Sequence, residues 1–156
     1  MNSLPINDNG SSCREKDLEV KPNISIALDF LTRFSEGNLT VLTSMLPDGK
    51  TSTKTFSSSE TEEMSNFIEA RSQTENIYFS VNPVKNRMSK KASKADIKKL
   101  AWLHVDIDPD EGKGLEAARK EIKNILNLSP LKPTVIVDSG NGYQAFWKLN
   151  KPISIN

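Results

Sequence analysis

The chain has 156 residues, with 21 Lys plus Arg against 20 Asp plus Glu and a formal net charge of +1. That length suits one modest domain around a single core, and the near-neutral balance excludes a basic protein that coats polyanions while leaving room for a local basic patch. With Cys13 as its one cysteine it has no intrachain disulfide framework and no cysteine zinc cage. No apolar run approaches the roughly 20 residues of a membrane span. Met1 to Lys16 lacks the apolar stretch of a signal peptide, so a soluble cytoplasmic protein that does not meet a membrane is expected.

Residues 1–21 are polar, rich in Asn and Ser and without periodicity, which reads as a flexible arm ahead of one domain over residues 22–156. Asn23 then stands as N-cap to a helix in which Ile26, Ala27, Phe30, Leu31 and Phe34 recur at helical spacing, with Gly37 as the stop. Leu39–Leu46 is a β-branched run closed by the turn Pro47-Asp48-Gly49, and Thr51–Phe56 returns as a weaker strand. Ser59 with Glu62 has the form of a capping box ahead of Met64, Phe67 and Ile68. Strands follow at Ile77–Val81 and Leu100–Asp108, then an amphipathic helix opened by Gly114. Two last strands, Thr134–Asp138 and Tyr143–Leu149, bracket a Ser139-Gly-Asn-Gly142 hairpin turn. The expected class is α/β in the α+β sense: a mixed, largely antiparallel sheet with flanking helices. The chain stops soon after a strand, at Pro152-Ile-Ser-Ile-Asn156, which suggests the amino-terminal part of something longer.

The densest chemistry lies in Trp102–Asp110, WLHVDIDPD. Side chains alternate along a strand, so Leu103, Val105 and Ile107 form an apolar face and Trp102, His104, Asp106 and Asp108 the opposite one. Two carboxylates so placed lie roughly 7 Å apart at the backbone and can converge on one or two hard divalent cations. Taken alone, the pair also fits an exposed strand end with Asp108-Pro109-Asp110 as turn residues. In the second segment, Ser139, Gly140 and Gly142 offer a hydroxyl and backbone N–H groups that a polyphosphate can approach, since glycine removes blocking side chains. An ordinary glycine hairpin is the simpler use of the same residues. Beyond the turn, Gln144, Phe146 and Lys148 share a face: Gln144 can hydrogen-bond a nucleotide and Lys148 neutralise phosphate. A basic stretch, Lys85, Arg87, Lys90, Lys91, Lys94, Lys98 and Lys99, reads equally as a phosphate-binding surface or as a solvated loop. His104 reads as a structural histidine, because oxygen-ligand magnesium sites rarely need imidazole.

HVDIDP followed about thirty residues later by SGNGYQAFW resembles the primase-polymerase domain of the archaeo-eukaryotic primase superfamily, in the branch found in plasmid and phage replication proteins. YFSVNP at Tyr78–Pro83 and the basic lead-in from Met88 to Lys99 share in the resemblance, which spans roughly residues 24–152. It implies an RRM-like catalytic core, incomplete at its C-terminus. Asp106 and Asp108 are then catalytic ligands for Mg²⁺ or Mn²⁺, and Ser139, Gly140, Gly142, Gln144 and Lys148 hold the nucleotide. Lys85, Arg87, Lys90, Lys91 and Lys94 contact DNA or phosphate. The implied activity is primer synthesis or strand extension by nucleotidyl transfer from nucleoside triphosphates on a DNA template, with a fused or associated helicase as a further partner. The chain departs from the family pattern twice. Gln144 stands where the family has histidine and cannot carry its charge, and the third metal-binding aspartate has no counterpart after Lys148. Those departures favour the alternative, a DNA- or nucleotide-binding module of a replication protein that does not polymerise. A sugar-nucleotide transferase, which also uses Asp-x-Asp, ranks below both because it needs a larger nucleotide-binding domain.

Overall fold

Asn23 begins the first element: its side-chain oxygen accepts from the Ile26 N–H at 3.1 Å, and helix α1 runs Ile24–Ser35. The computed structural model describes residues 22–110, 112 and 114–155. The arm expected at residues 1–21, and Cys13 with it, lies outside the described residues. Helix α1 ends on Glu36 at φ +49° and Gly37 at φ +77°, a left-handed exit that glycine accepts without strain. Strands β1 (Thr40–Met45) and β2 (Thr51–Phe56) form a hairpin across Pro47–Gly49, and β3 (Asn76–Phe79) pairs with the other edge of β1. Helix α2 (Thr61–Glu69) lies between β2 and β3 in sequence. A second group follows: β4 (Lys99–Ile107), α3 (Leu115–Leu128), β5 (Val135–Asp138) and β6 (Tyr143–Ser154).

Two three-stranded antiparallel sheets result, ordered β2-β1-β3 and β4-β6-β5, so the class is the mixed α+β arrangement the sequence predicts. The sheets are joined by aromatic side chains. Phe34 of α1 stacks on Trp102 of β4 at 4.3 Å between centroids and 9° between planes, and meets Phe79 of β3 and Phe146 of β6 edge-on at 5.1 and 5.4 Å. Such pairs add about 0.5–1.5 kcal/mol each beyond the area they bury. A second cluster, Leu31, Leu42, Phe56, Met64, Phe67 and Ile68, seals α1 and α2 on the first sheet. A third sets Ile122 and Leu126 of α3 on Tyr143 and Ala145 of β6.

Two local expectations are corrected. The capping box of Ser59 and Glu62 does not form. Glu60 is the N-cap residue of α2, and its carboxylate accepts instead from the Ser57 N–H at 2.7 Å, the Ser57 hydroxyl at 2.8 Å and Arg87 at 2.5 Å. The Ser59 hydroxyl is bonded to the Ser57 hydroxyl at 3.0 Å instead of to the helix, so no side chain caps α2. The two faces of β4 also divide differently. Trp102, on the carboxylate face, is buried under Phe34, while Leu103 and Val105 on the apolar face are each 48% exposed. Helix α3 packs over β6 rather than over the edge strand β4, so that face lacks a full cover.

Candidate functional site

The candidate site occupies one end of the second sheet, where the end of β4 meets the β5–β6 turn. The β4–β6 register sets Asp106 opposite Gln144 and Ile107 opposite Tyr143, so the two sequence motifs are neighbours on adjacent strands. The Gln144 side-chain amide donates to Asp106 Oδ2 at 3.5 Å. Asp108 follows the last residue of the strand, and the turn closes on it. A Cβ at Gly142 would meet the Ile107 carbonyl oxygen and stand 3.3 Å from the Asp108 Cα, so only glycine permits this approach. Asp106 and Asp108 are exposed and make no ion pair among the described residues.

The turn itself is more self-contained than the sequence suggests. The Ser139 N–H donates to the Gly142 carbonyl at 3.1 Å, and the Gly142 N–H donates to the Ser139 hydroxyl at 3.1 Å. The Gly140 N–H, at φ +91°, donates to Asp138 Oδ1 at 2.9 Å. These N–H groups are therefore spent inside the loop, and the Ser139 hydroxyl hydrogen remains the natural donor to a ligand. From behind, Arg119 of α3 donates to Asp138 Oδ2 at 2.6 Å and to the Gly140 carbonyl, with its guanidinium 5.1 Å from the Tyr143 ring centroid. The Gly140 N–H, and then the Arg119 guanidinium, hold the Asp138 carboxyl below the usual carboxylate range. No sequence motif marks Arg119, and its place one residue after the buried Ala118 of α3 is its one local signal.

Lys148 is not brought to the carboxylates. It lies four residues beyond Gln144 along β6, about 13 Å at strand rise, and its ammonium is paired with Glu36 at the end of α1. The basic stretch is likewise separated from the carboxylate end. It feeds the start of β4 at Lys99, about 23 Å along the strand from Asp106, with Lys98 N–H bonded to the Pro83 carbonyl at 2.8 Å. Within it Arg87 is a strap: it donates to the Thr55 carbonyl at 3.0 Å and to Glu60 at 2.5 Å, which raises its own pKa. Lys85 and Lys90 lie near enough to Asp96 to help hold that carboxyl low, after its hydrogen bonds from Ser93. Lys91 and Lys94 are exposed. His104 is exposed, and its ring lies 6.0 Å from that of Phe146 at 16°. Elsewhere, Lys54, Glu63, Asn66, Phe67 and Arg71 line an open cavity of about 320 Å³ that no sequence motif marks.

Among the described residues no group of three or more His, Cys, Asp or Glu side chains is placed to hold a metal ion. Asp106 and Asp108 are thus two exposed carboxylates without a third ligating side chain beside them among the described residues, and magnesium accepts two protein carboxylates only where water and phosphate oxygens complete its octahedron. No described helix is long and apolar enough to cross a membrane. Comparisons with protein-family models, with curated proteins and with solved structures find no match to this chain.

Proposed function

We propose that the protein is a primase-polymerase-type domain that transfers nucleotidyl groups from nucleoside triphosphates to a growing strand on a DNA template in the cytoplasm. The observation that supports this reading most is the β4–β6 register, which puts Asp106 against Gln144 while the Gly142 approach seats the turn beside Asp108. Two motifs about thirty residues apart in sequence then form one end of one sheet. Asp106 and Asp108 would hold Mg²⁺ or Mn²⁺ through carboxylate oxygens, and that ion supplies neutralisation of the triphosphate and of the leaving pyrophosphate. Gln144 steadies the Asp106 carboxylate and offers an amide to the nucleotide. The Ser139 hydroxyl serves a phosphate oxygen, with Gly140 and Gly142 keeping the approach clear. Lys91 and Lys94 are the basic residues best placed to meet DNA, and a fused or associated helicase completes the partners in this reading.

Calorimetric titration of a nucleoside triphosphate with Mn²⁺ tests it, using the chain and its Asp106→Asn/Asp108→Asn variant. Metal-dependent binding that disappears in the variant is the expected result. That no third ligating side chain stands beside the pair among the described residues favours a second reading, a replication-associated module that binds without turnover. Its signature is DNA affinity in a gel shift that survives the same double substitution, with no metal-dependent nucleotide binding by the folded wild-type chain.

A further inference from the structure

The outer edge of β4 ends a sheet without being finished by it. At the inner part of that edge Asn82 acts as a bracket: its side-chain oxygen accepts from the N–H groups of Ala101 and Trp102 at 2.8 and 2.9 Å, and its amide donates to the Trp102 carbonyl at 3.0 Å. Trp102 therefore turns both backbone groups away from β6. With a period of two, His104 and Asp106 turn theirs to the same edge. Among the described residues no strand pairs with that edge and no hydrogen bond reaches it beyond Trp102. Leu103 and Val105, on the α3 side of the sheet, remain half exposed beside it.

We infer that residues 103–107 of β4 pair antiparallel with the same segment of a second copy of this chain, building one continuous six-stranded sheet. The edge is self-complementary in a single register. A two-fold axis at His104 would need Asp106 to bond Trp102, which Asn82 already holds. An axis at Asp106 would set two carboxylates directly opposite each other, a destabilising pair. An axis at Val105 meets neither obstacle. It makes His104 and Asp106 of opposite chains exchange both backbone hydrogen bonds and sets an imidazole N–H beside a carboxylate, twice over. On the other face Leu103 lies opposite Ile107 and Val105 opposite itself, which covers the apolar side chains that α3 leaves bare. Charge, hydrogen-bond direction and apolar pattern thus select one occupant, and edge pairing of this kind is how unpaired strands are satisfied. The pairing is five residues long, so the dimer is weak and depends on concentration.

The inference does not rest on nucleotidyl transfer, although both readings engage Asp106, and its test reads association alone. At the proposed axis Val105 is a non-hydrogen-bonded pair with itself, about 4.5 Å between α-carbons, a spacing a disulfide can span. In a Cys13→Ser background, Val105→Cys should form a covalent dimer under mild oxidation, far faster than Ile136→Cys, which is comparably exposed on the opposite edge strand. Sedimentation of the wild-type chain should show a concentration-dependent dimer that Val105→Lys abolishes and Leu128→Lys leaves intact, both variants giving the wild-type circular dichroism. A wild-type chain that stays monomeric at every concentration, or equal cross-linking at positions 105 and 136, overturns the inference. A dimer indifferent to Val105→Lys does the same, since its interface lies elsewhere.

Discussion

Gly142 rests against Ile107: the turn after β5 packs so tightly on the carbonyl end of β4 that a methyl group at position 142 has no room. One contact between two backbones thereby fixes where the serine hydroxyl and the two carboxylates sit relative to each other. Gly142→Ala should cost about 1–3 kcal/mol in urea unfolding, the range for forced overpacking. Under the proposed function it should also weaken metal-dependent nucleotide binding by calorimetry. Asn141→Ala, one residue away and exposed, should change neither.

The stack of Phe34 on Trp102 ties α1 to the second sheet at its buried centre. Phe34→Ala should destabilise the protein by roughly 3–5 kcal/mol, the cost of emptying a large aromatic site. In a Trp147→Phe background, where Trp102 is the remaining indole, the same substitution should shift the emission to longer wavelength as water reaches the ring. An unchanged spectrum with unchanged stability would show that the two sheets are held together by something else.

Glu60 is held down to a pKa of about 2 from an ordinary 4.5, first by the Arg87 guanidinium and then by the Ser57 N–H and hydroxyl. A carboxylate whose folded pKa is depressed contributes stability that is fully present above its unfolded pKa. That contribution is lost as pH falls from about 4.5 towards 2. Glu60→Gln should therefore reduce stability near neutrality and flatten the fall in melting temperature over that acid window. A variant that loses stability in parallel with wild type at every pH would contradict the assignment.

Lys148 and Glu36 form a half-exposed pair between β6 and the end of α1. A double-mutant cycle with Lys148→Met and Glu36→Gln should give a coupling of about 0–1 kcal/mol, as for other solvated pairs. Nucleotide affinity should be insensitive to Lys148→Met and lowered by Gln144→Ala. Equal losses from both would return Lys148 to the proposed nucleotide site.

The periodic elements are legible in the sequence because their signals are local. Asn23 caps α1 through a residue three places away, and the alternation of Gln144, Phe146 and Lys148 against Tyr143, Ala145 and Trp147 needs only the strand period. The adjacency of the two motifs is not legible in this way, because strand period and one hairpin leave the strand order open and only the β4–β6 pairing supplies it. What the sequence conceals is partners that are distant along the chain. Glu60 takes Arg87, 27 residues away, together with its local Ser57 donors, and Lys148 reaches Glu36 across 112 residues. The turn around Gly140 has its donors satisfied by Asp138 and Ser139, an arrangement that composition alone leaves open. The faces of β4 are disguised for a related reason: hydrophobic alternation reports which residues share a side, and the position of α3 over β6 decides which side is covered.

Asn82 stands where the ladder between β4 and β6 changes step. On one side Leu100 faces Ile153, on the other Trp102 faces Lys148, and Leu149 to Pro152 are accommodated opposite Ala101. The bracket separates a stretch of strand whose length is free from one whose length is not. A residue gained or lost among Leu149 to Pro152 falls in a segment already out of step and leaves the pairing on either side as it was. The same change between Trp102 and Asp106 would turn Asp106 to the opposite face, away from Gln144, and carry the apolar side chains over with it. Insertion and deletion should therefore be tolerated very unevenly along these two strands.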